Sequence, residues 1–503
     1  MTSGELIQLD RSARAARAAE IGEESARKVR LPDDVWELAR LFGKERPLYL
    51  IGGAVRDILL GRTPVDFDFA TAATPDEVKR MVKGWADNVW TIGEEFGTIA
   101  LLKNDVKYEI TTFRGEVYRD GSRKPTVTFS ESLREDLSRR DFTVNAIAYS
   151  LNDKVFIDPF HGIDDLKKRI LRTPGPVERS FRDDPLRMLR AVTMHATLGL
   201  ELSGQVFNGI VEFANLIAQV STERIRDELN KILMVEKPSG ALRLMLRTGL
   251  SEYFLPELSR LDIEQPVEYH HKNVLEHTFQ VVENAEPVLD LRLACLLHDI
   301  AKPDTREVVG GQIHFFRHEL VGAQMAKRIL RRLKYPKEIV EKVVKLVKLH
   351  LRPHFYRDEV WTDSAVRRYI RDAGEVLPLL NQLVTADCTT LNPRVAREAV
   401  EKQRDLEERI AEVLEKEDLM AMRPMLDGHQ VMERFNIAPG PLVGKILKAL
   451  LSAQIDGELQ TEEEAWELAR RVYEQETGSD EETGSDEETG SDQETGAPKK
   501  DAG

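Results

Sequence analysis

Cysteine is scarce. The 503 residues include two, Cys295 and Cys388, both in segments whose spacing reads as helical. Two cannot build a disulfide framework, and so few suit a reducing cytoplasm. Long apolar runs are missing as well: none approaches eighteen residues, so nothing should span a membrane. The N-terminus lacks the apolar stretch of a secretory signal. Arg11, Arg14 and Arg17 stand there among alanines, the pattern of a frayed amphipathic helix in a loose lead-in over 1–30. Positive charge is short overall. The net charge of −15 argues at first sight against nucleic-acid binding. Residues 474–503 carry −9 of that, so the rest holds only −6 and leaves room for local basic faces.

What is present is enough for several cores. A hydrophobic fraction of 41% over this length allows three or four domains. From about Pro47 to Asp158 short strand-like runs (LYLIGG, VDFDFAT, TIALLK, YEITTF, TVTF, VFIDPF) alternate with helical ones. From about Ile163 to Arg471 the apolar period is almost entirely helical. The expected fold class is therefore α+β, a mixed α/β head over 31–160 followed by all-α segments. After Glu474 comes a hexad repeat, ETGSDE, ETGSDE, ETGSDQ, with no apolar residue to bury. Residues 474–503 are expected to be a disordered acidic tail.

The run LIGGAVRDILLG joins a strand, a Gly-Gly turn and a helix. Gly52 and Gly53 lack Cβ atoms, so backbone N–H groups can approach a phosphate there. Arg56 and Asp57 fall in the first helical turn. In VDFDFAT, period two puts Asp66 and Asp68 on one face and Phe67 on the other, toward the core. Two parallel carboxylates stay ionised together only beside a cation, and magnesium with hard oxygen ligands is the usual solution. Two such ions would activate a 3′-hydroxyl and stabilise a leaving pyrophosphate. Glu109, in KYEITTFR, is the candidate third carboxylate, with a solvated strand residue as the alternative.

GGAVRD at 52–57, DFD at 66–68, IGEEFGTI at 92–99, EITTFR at 109–114 and RRDFTVNA at 139–146 resemble, in order, the motifs of class II nucleotidyltransferases. That family holds the CCA-adding enzymes and bacterial poly(A) polymerases. The resemblance implies that Asp66 and Asp68 bind Mg2+ and that Arg139, Arg140 and Asp141 contact ribose and triphosphate, with Asn145 in the same motif. DPFHGIDDL at 158–166 resembles the family's hinge motif. FRDDPLRMLR at 181–190 resembles the motif that serves as an amino-acid template, which assigns Asp184, Arg187 and Arg190 to nucleotide binding. Asp184 and Arg187, read as i and i+3 on one helix, would present an acceptor and a donor fork to a base edge. An intrahelical ion pair is the alternative. ERIRDELNKIL, with Arg224 and Glu228 at i and i+4, matches the neck motif and is expected to brace the template helix. The resemblance runs from about Pro47 to Pro256, and the neck and body should occupy 161–262. Gly97-Thr98 and the complete segment FRGEVYRDGSRKPTVTF resemble CCA-adding members rather than poly(A) polymerases; enzymes that add only C tend to have this segment shortened.

A second constellation follows: His277, His298-Asp299, His318, His350 and Asp387. This order resembles the HD phosphohydrolase superfamily and fits a two-metal site within a domain at 263–395, followed by a helical segment at 396–473. Imidazole with carboxylate suits Mn, Fe, Co, Ni or Zn. The metals would lower a bound water's pKa and hold a phosphate ester, and the resemblance implies RNA-end or 2′,3′-cyclic phosphates as substrates. His270, His271, His314 and His354 are expected beside the site or on the surface. Between Ala323 and Arg352 ten Lys or Arg stand against two Glu. Their spacing makes them outer helix faces, solvated or in contact with RNA backbone.

The expected function is addition of CCA to tRNA 3′ ends from CTP and ATP, with a cytoplasmic location, no membrane partner and an RNA-end phosphohydrolase activity. The rivals are a poly(A) polymerase, an HD nucleotide hydrolase with a silent head, and a non-catalytic RNA-binding protein.

Overall fold

In a computed structural model of the chain the described residues are 29–91, 93–117, 126–264, 273–353, 362–389, 393–416 and 423–478. They fall into two compact units: Met1–His350 with Ala386–Leu391, and Leu351–Thr385 with Asn392–Gly503.

The first unit opens with α1 (Asp33–Phe42) and a seven-stranded sheet of order β3-β4-β5-β2-β1-β8-β9. Its strands are β1 (Tyr49–Ile51), β2 (Phe67–Thr71), β3 (Asn88–Trp90), β4 (Thr98–Lys103), β5 (Val106–Thr112), β8 (Ala148–Ser150) and β9 (Val155–Ile157). A separate hairpin pairs β6 (Arg114–Val117) with β7 (Thr126–Phe129). Within this sheet only β2 and β5 pair in parallel, and their register sets Asp68 beside Glu109. Period two holds where it was expected: Phe67, Phe69, Tyr108 and Ile110 are buried, while Asp68 and Glu109 are half-buried. Asp66 lies one residue before β2 and is exposed. Three helices pack about the sheet: α2 (Gly53–Leu59), α3 (Pro75–Met81) and α4 (Leu133–Ser138). The second is fixed by a Thr74–Glu77 capping box with proline at its first position. Ile51, Ala70, Phe113, Leu137, Ala146 and Ala148 form an apolar cluster against the central strands.

The helices that follow are α5 (Gly162–Lys168), α6 (Val177–Asp183), α7 (Leu186–Leu198), α8 (Gly204–Phe213), α9 (Thr222–Leu233) and α10 (Ser239–Arg247). Next come α11 (Val274–Asn284), α12 (Leu289–Leu297), α13 (His318–Arg332) and α14 (Lys337–Leu349). On α14, Val340, Val343, Leu346 and Val347 are buried at helical spacing and the lysines face outward, as expected for outer charged faces. The expectation of an all-helical chain beyond Ile163 needs two additions: the parallel pair β10 (Ile170–Leu171) with β11 (Glu201–Leu202), and the hairpin β12 (Arg306–Val309) with β13 (Gln312–Phe315).

The second unit holds α15 (Asp363–Ala373), most of α16 (Leu377–Asp387), α17 (Pro393–Lys416), α18 (Gly428–Phe435), α19 (Pro441–Ile455) and α20 (Glu462–Gly478). Val431, Val443, Ile446, Leu450, Ala465 and Ala469 form its core. The division differs from the expected boundary at 395. Leu351–Thr385 groups with the C-terminal helices because α15 packs on α17 and α19. The expected start of the acidic tail at 474 is also corrected: α20 runs to Gly478, with Glu476 paired to Lys445. Glutamates are good helix formers, and the helix already carries a buried face. The remainder of the tail, the lead-in and His270, His271 and His354 lie outside the described residues. No helix among the described residues is long and apolar enough to cross a membrane.

Candidate active sites

The first site is a cleft in the first unit lined by Gly52, Gly53, Asp68, Arg139, Arg140, Asp141, Asn145, Asp184, Arg187, Arg190 and Arg224. Five arginines meet three aspartates there, a charge balance suited to a polyanion with bound cations. Gly52 has φ 71°, and a Cβ on it would stand 3.2 Å from Arg140 Nη1, so the turn takes glycine for both reasons.

The arginines are held from behind. Asp136, with no exposed surface, accepts from Arg139 (Nη2 to Oδ1, 2.6 Å) and Arg140 (Nη2 to Oδ2, 3.3 Å). Burial would raise its pKa, but the Arg140 and Arg139 charges and their hydrogen bonds outweigh that and hold it below the usual carboxylate range. Asp141, also buried, binds Arg190 (2.6 Å) and the amide of Asn145 (3.0 Å), and its pKa is lowered in the same way, by Arg190 against burial. Arg56 donates to Asn145 Oδ1 (2.9 Å) and to Asp57 (2.9 Å), so this pair supports the cleft from outside its lining.

Asp68 behaves oppositely. Burial, with Glu109 and Asp66 nearby and only partly offset by Arg140, holds its carboxyl above the usual range. Asp68 and Glu109, side by side on β2 and β5 with Asp66 just before β2, offer hard oxygen donors that fit Mg2+. Glu109 also accepts from Lys107 (2.5 Å).

Asp184 and Arg187 do not share a helix. Asp184 ends α6 in an extended conformation (φ −144°, ψ 98°), because Pro185 drives the residue before it out of the helical region. Its carboxylate is gripped by both Nη atoms of Arg224 (2.9 and 3.3 Å). Arg187, in the first turn of α7, donates to Ser180 Oγ (3.0 Å) and to the Arg139 carbonyl. The intrahelical Asp184–Arg187 pair is not among the described contacts, and both side chains line the cleft. Sequence reasoning assigned Arg224 to bracing alone and missed it as a lining residue. It also missed Asp136, whose signal was its spacing three and four residues before Arg139 and Arg140.

The second site is a buried cluster, also in the first unit. His277 (on α11), His298 and Asp387 place ligand atoms within 4.8 Å of one another, and so do Asp299, His318 and His350. His298 and His350 cap the C-termini of α12 and α14, and His318 opens α13. All six expected residues converge. The Nδ1 atoms are anchored: His298 on the Cys295 carbonyl (2.7 Å), His318 on Phe315 (2.9 Å), His350 on Val347 (2.6 Å), and His277 on Thr389 Oγ1 (2.9 Å). With Nδ1–H donated to a carbonyl, Nε2 keeps its lone pair for a metal. The Nε2 atom of His350 is buried without a hydrogen-bond partner, and that of His318 stands 3.3 Å from Asp299 Oδ1. Imidazoles converging on carboxylates fit a pair of transition-metal ions. Burial lowers the His298 pKa, but Asp299 and Asp387 outweigh it and push it up to about 10, so a metal held there would displace the second ring proton. Burial, with the neighbouring His298 and His318, pushes His350 down to about 3. Lys302 Nζ stands 2.7 Å from Asp299 Oδ2; the sequence reading did not single it out, although it lies one helical turn after Asp299. His314 lies on β13, stacked on Phe316 rather than in the cluster. Cys295 is buried in α12, while Cys388 follows the end of α16 rather than lying in it.

A model described as Poly A polymerase head domain matches residues 48–172. One described as "Probable RNA and SrmB- binding site of polymerase A" matches 199–261, and one for tRNA nucleotidyltransferase domain 2 matches 315–468. A CC-adding tRNA nucleotidyltransferase of Thermus thermophilus is 34% identical over 84% of this chain and 93% of its own length. An A-adding tRNA nucleotidyltransferase of Deinococcus radiodurans is 33% identical over 86% and 96%. The solved structure of a Bacillus stearothermophilus CCA-adding enzyme with CTP covers 89% of this chain and 98% of its own, with 27% identity and a TM-score of 0.62. A cleft of buttressed arginines beside paired carboxylates, on the matched head fold, and near-complete coverage above 30% identity together establish that the chain belongs to the tRNA nucleotidyltransferase family.

Proposed function

We propose that the chain adds C, C and A to tRNA 3′ ends from CTP and ATP in the cytoplasm. The observation that carries this is the cleft, where five arginines, three aspartates and the Gly52-Gly53 turn line one space. The tRNA 3′-hydroxyl oxygen bonds the α-phosphorus, the α–β bridging bond breaks, and pyrophosphate leaves. Mg2+ held by Asp66 and Asp68, with Glu109 alongside, would offset the charge developing there. Arg139 and Arg140, locked by Asp136, hold the triphosphate without reorganising. Asp184 offers an acceptor to the amino group of cytosine or adenine, and Arg187 offers donors to the neighbouring ring acceptor. Uracil would set its O4 against Asp184, so it is rejected by mispairing.

Relatives of nearly equal identity are named for adding CC and for adding A, so the full sequence of additions rests on a local feature. The segment from Phe113 to Phe129 resembles the complete one of CCA-adding members, and it contains the paired strands β6 and β7. The test is product sequencing on tRNA lacking its last three nucleotides and on a generic RNA, with CTP, ATP or both. The reading expects CC from CTP alone, CCA from both, and no tailing of the generic RNA. Long A tails on the generic RNA would instead support a poly(A) polymerase. Addition restricted to CC or to A would overturn the full CCA reading.

For the second cluster we infer a phosphohydrolase acting on RNA-end or 2′,3′-cyclic phosphates, in which water adds across one P–O bond of the ester. Ions held by His277, His298 and Asp387, and by Asp299, His318 and His350, would supply a nucleophile at neutral pH and hold the phosphate. The support is the converging Nε2 geometry. Chelation should abolish hydrolysis of a cyclic phosphate, and re-adding Mn, Fe, Co, Ni or Zn singly should restore it with at least one of them. Hydrolysis that survives exhaustive chelation would remove the metal from the account.

A further inference from the structure

Strand pairing in the seven-stranded sheet lines up four residues on one face. Asp68 on β2 stands opposite Glu109 on β5, Glu109 opposite Ala100 on β4, and Ala100 opposite Trp90 on β3. Directly paired residues point to the same side of a sheet, so Trp90 shares the face of the two carboxylates. Its neighbour Val89 pairs with the buried Leu101 and belongs to the other face. Trp90 is 40% exposed, and among the described residues its ring meets no other aromatic ring and no cation. Only the methyl group of Ala100 stands between Trp90 and Glu109, so the surface between them is low. One pleat along the same face the hydroxyls of Thr98 and Thr111 meet at 3.0 Å. Two strand steps of about 4.8 Å set the Trp90 backbone roughly 10 Å from that of Glu109.

The geometry of nucleotidyl transfer decides what this face receives. Ile51, at the end of β1, pairs with Asp68, and the Gly52-Gly53 turn follows on that side with Arg140 against it. From Asp68 the strands β5, β4 and β3 extend the other way. In an in-line displacement the entering oxygen stands opposite the leaving pyrophosphate. With the triphosphate among the arginines of the cleft, an RNA 3′-oxygen reaches the carboxylates from over β5 and β4. Its own base then lies along the row toward β3, where the aromatic ring of the row stands. The apolar patch is one ring wide, because Asn88, the next residue on this face of β3, is polar. A protein partner would need a broader apolar surface. A single base stacks on one indole, and the carboxylates oppose a phosphate settling in its place.

We propose that Trp90 is the stacking platform for the 3′-terminal base of the RNA that receives the nucleotide, and so fixes its 3′-hydroxyl beside Asp68 and Glu109. This rests on the nucleotidyl-transfer reading above and adds to it a seat for the second substrate. The probes are two tRNAs lacking the last three nucleotides, one ending in its ordinary nucleotide and one in an abasic ribose that keeps the 3′-hydroxyl. Affinity for each is measured on the full-length protein with Mg2+ and no nucleotide, and incorporation from CTP is measured alongside. The parent should bind the base-bearing end roughly tenfold more tightly and extend it at a lower KM. Trp90→Ala should erase that preference and leave KM for CTP unchanged, and Trp90→Phe should keep most of it. If the parent shows no preference, or Trp90→Ala retains it, the platform is refuted, and extension by the parent leaves the transfer reading standing. If neither tRNA is extended but the preference still depends on Trp90, the transfer reading fails and the base seat stands. A parent with neither preference nor extension refutes both.

Discussion

Asp136 shows how a single residue shapes the cleft without touching a substrate. One carboxylate with no exposed surface orients both Arg139 and Arg140. Its folded pKa is lowered, so it contributes stability above the ordinary carboxylate range and loses that contribution as pH falls through its folded pKa. The denaturation midpoint of the parent protein should therefore decline below about pH 4, and Asp136→Asn should flatten that decline. At pH 7, Asp136→Ala should cost about 2–3 kcal/mol and raise KM for CTP. A variant with the parent's acid profile would show that the pair carries no stability. Most of the residues that line the cleft were legible because their motifs carry them in order. Asp136 was not, because an ion-pair partner at i−3 looks like any helical charge until its burial is known.

On the scale of elements, the break at Asp184–Pro185 matters most. A helical reading of FRDDPLRMLR placed Asp184 and Arg187 on one helix, and the proline contradicts it: Asp184 turns extended and meets Arg224 on α9. The signal was in the sequence, since a residue before proline leaves the helical region. Its partner, forty residues away, was not readable, because only the packing of α7 on α9 brings the two together. Arg224 thus positions the carboxylate proposed to read the base. Arg224→Ala should raise KM for CTP and ATP roughly tenfold and weaken rejection of UTP. Arg224→Lys should recover little, having no planar fork. Single-nucleotide incorporation on truncated tRNA measures both, and unchanged discrimination in Arg224→Ala would reduce Arg224 to a surface ion pair. Short strands hid for a related reason. β3, β8 and β12 are three or four residues long and carry too few alternations for period two to show.

At the scale of the whole molecule, one compact unit holds two clusters with no residue in common, one of carboxylates and arginines and one of histidines and carboxylates. That separation was visible in the sequence as two ordered motif series. The unit boundary was not, since Leu351–Thr385 has the same helical period as its neighbours and only its packing with α17 and α19 assigns it. The central claim is that the two clusters are independent active sites. The most direct test makes two variants, Asp68→Asn and the double change His298→Ala with Asp299→Ala. CTP and ATP addition to truncated tRNA and hydrolysis of a cyclic phosphate are then measured on each, with folding checked by circular dichroism. The account predicts a reciprocal result: the first variant loses addition by a factor of about 100 or more and keeps hydrolysis, and the second does the reverse. Loss of both activities in either folded variant would contradict it.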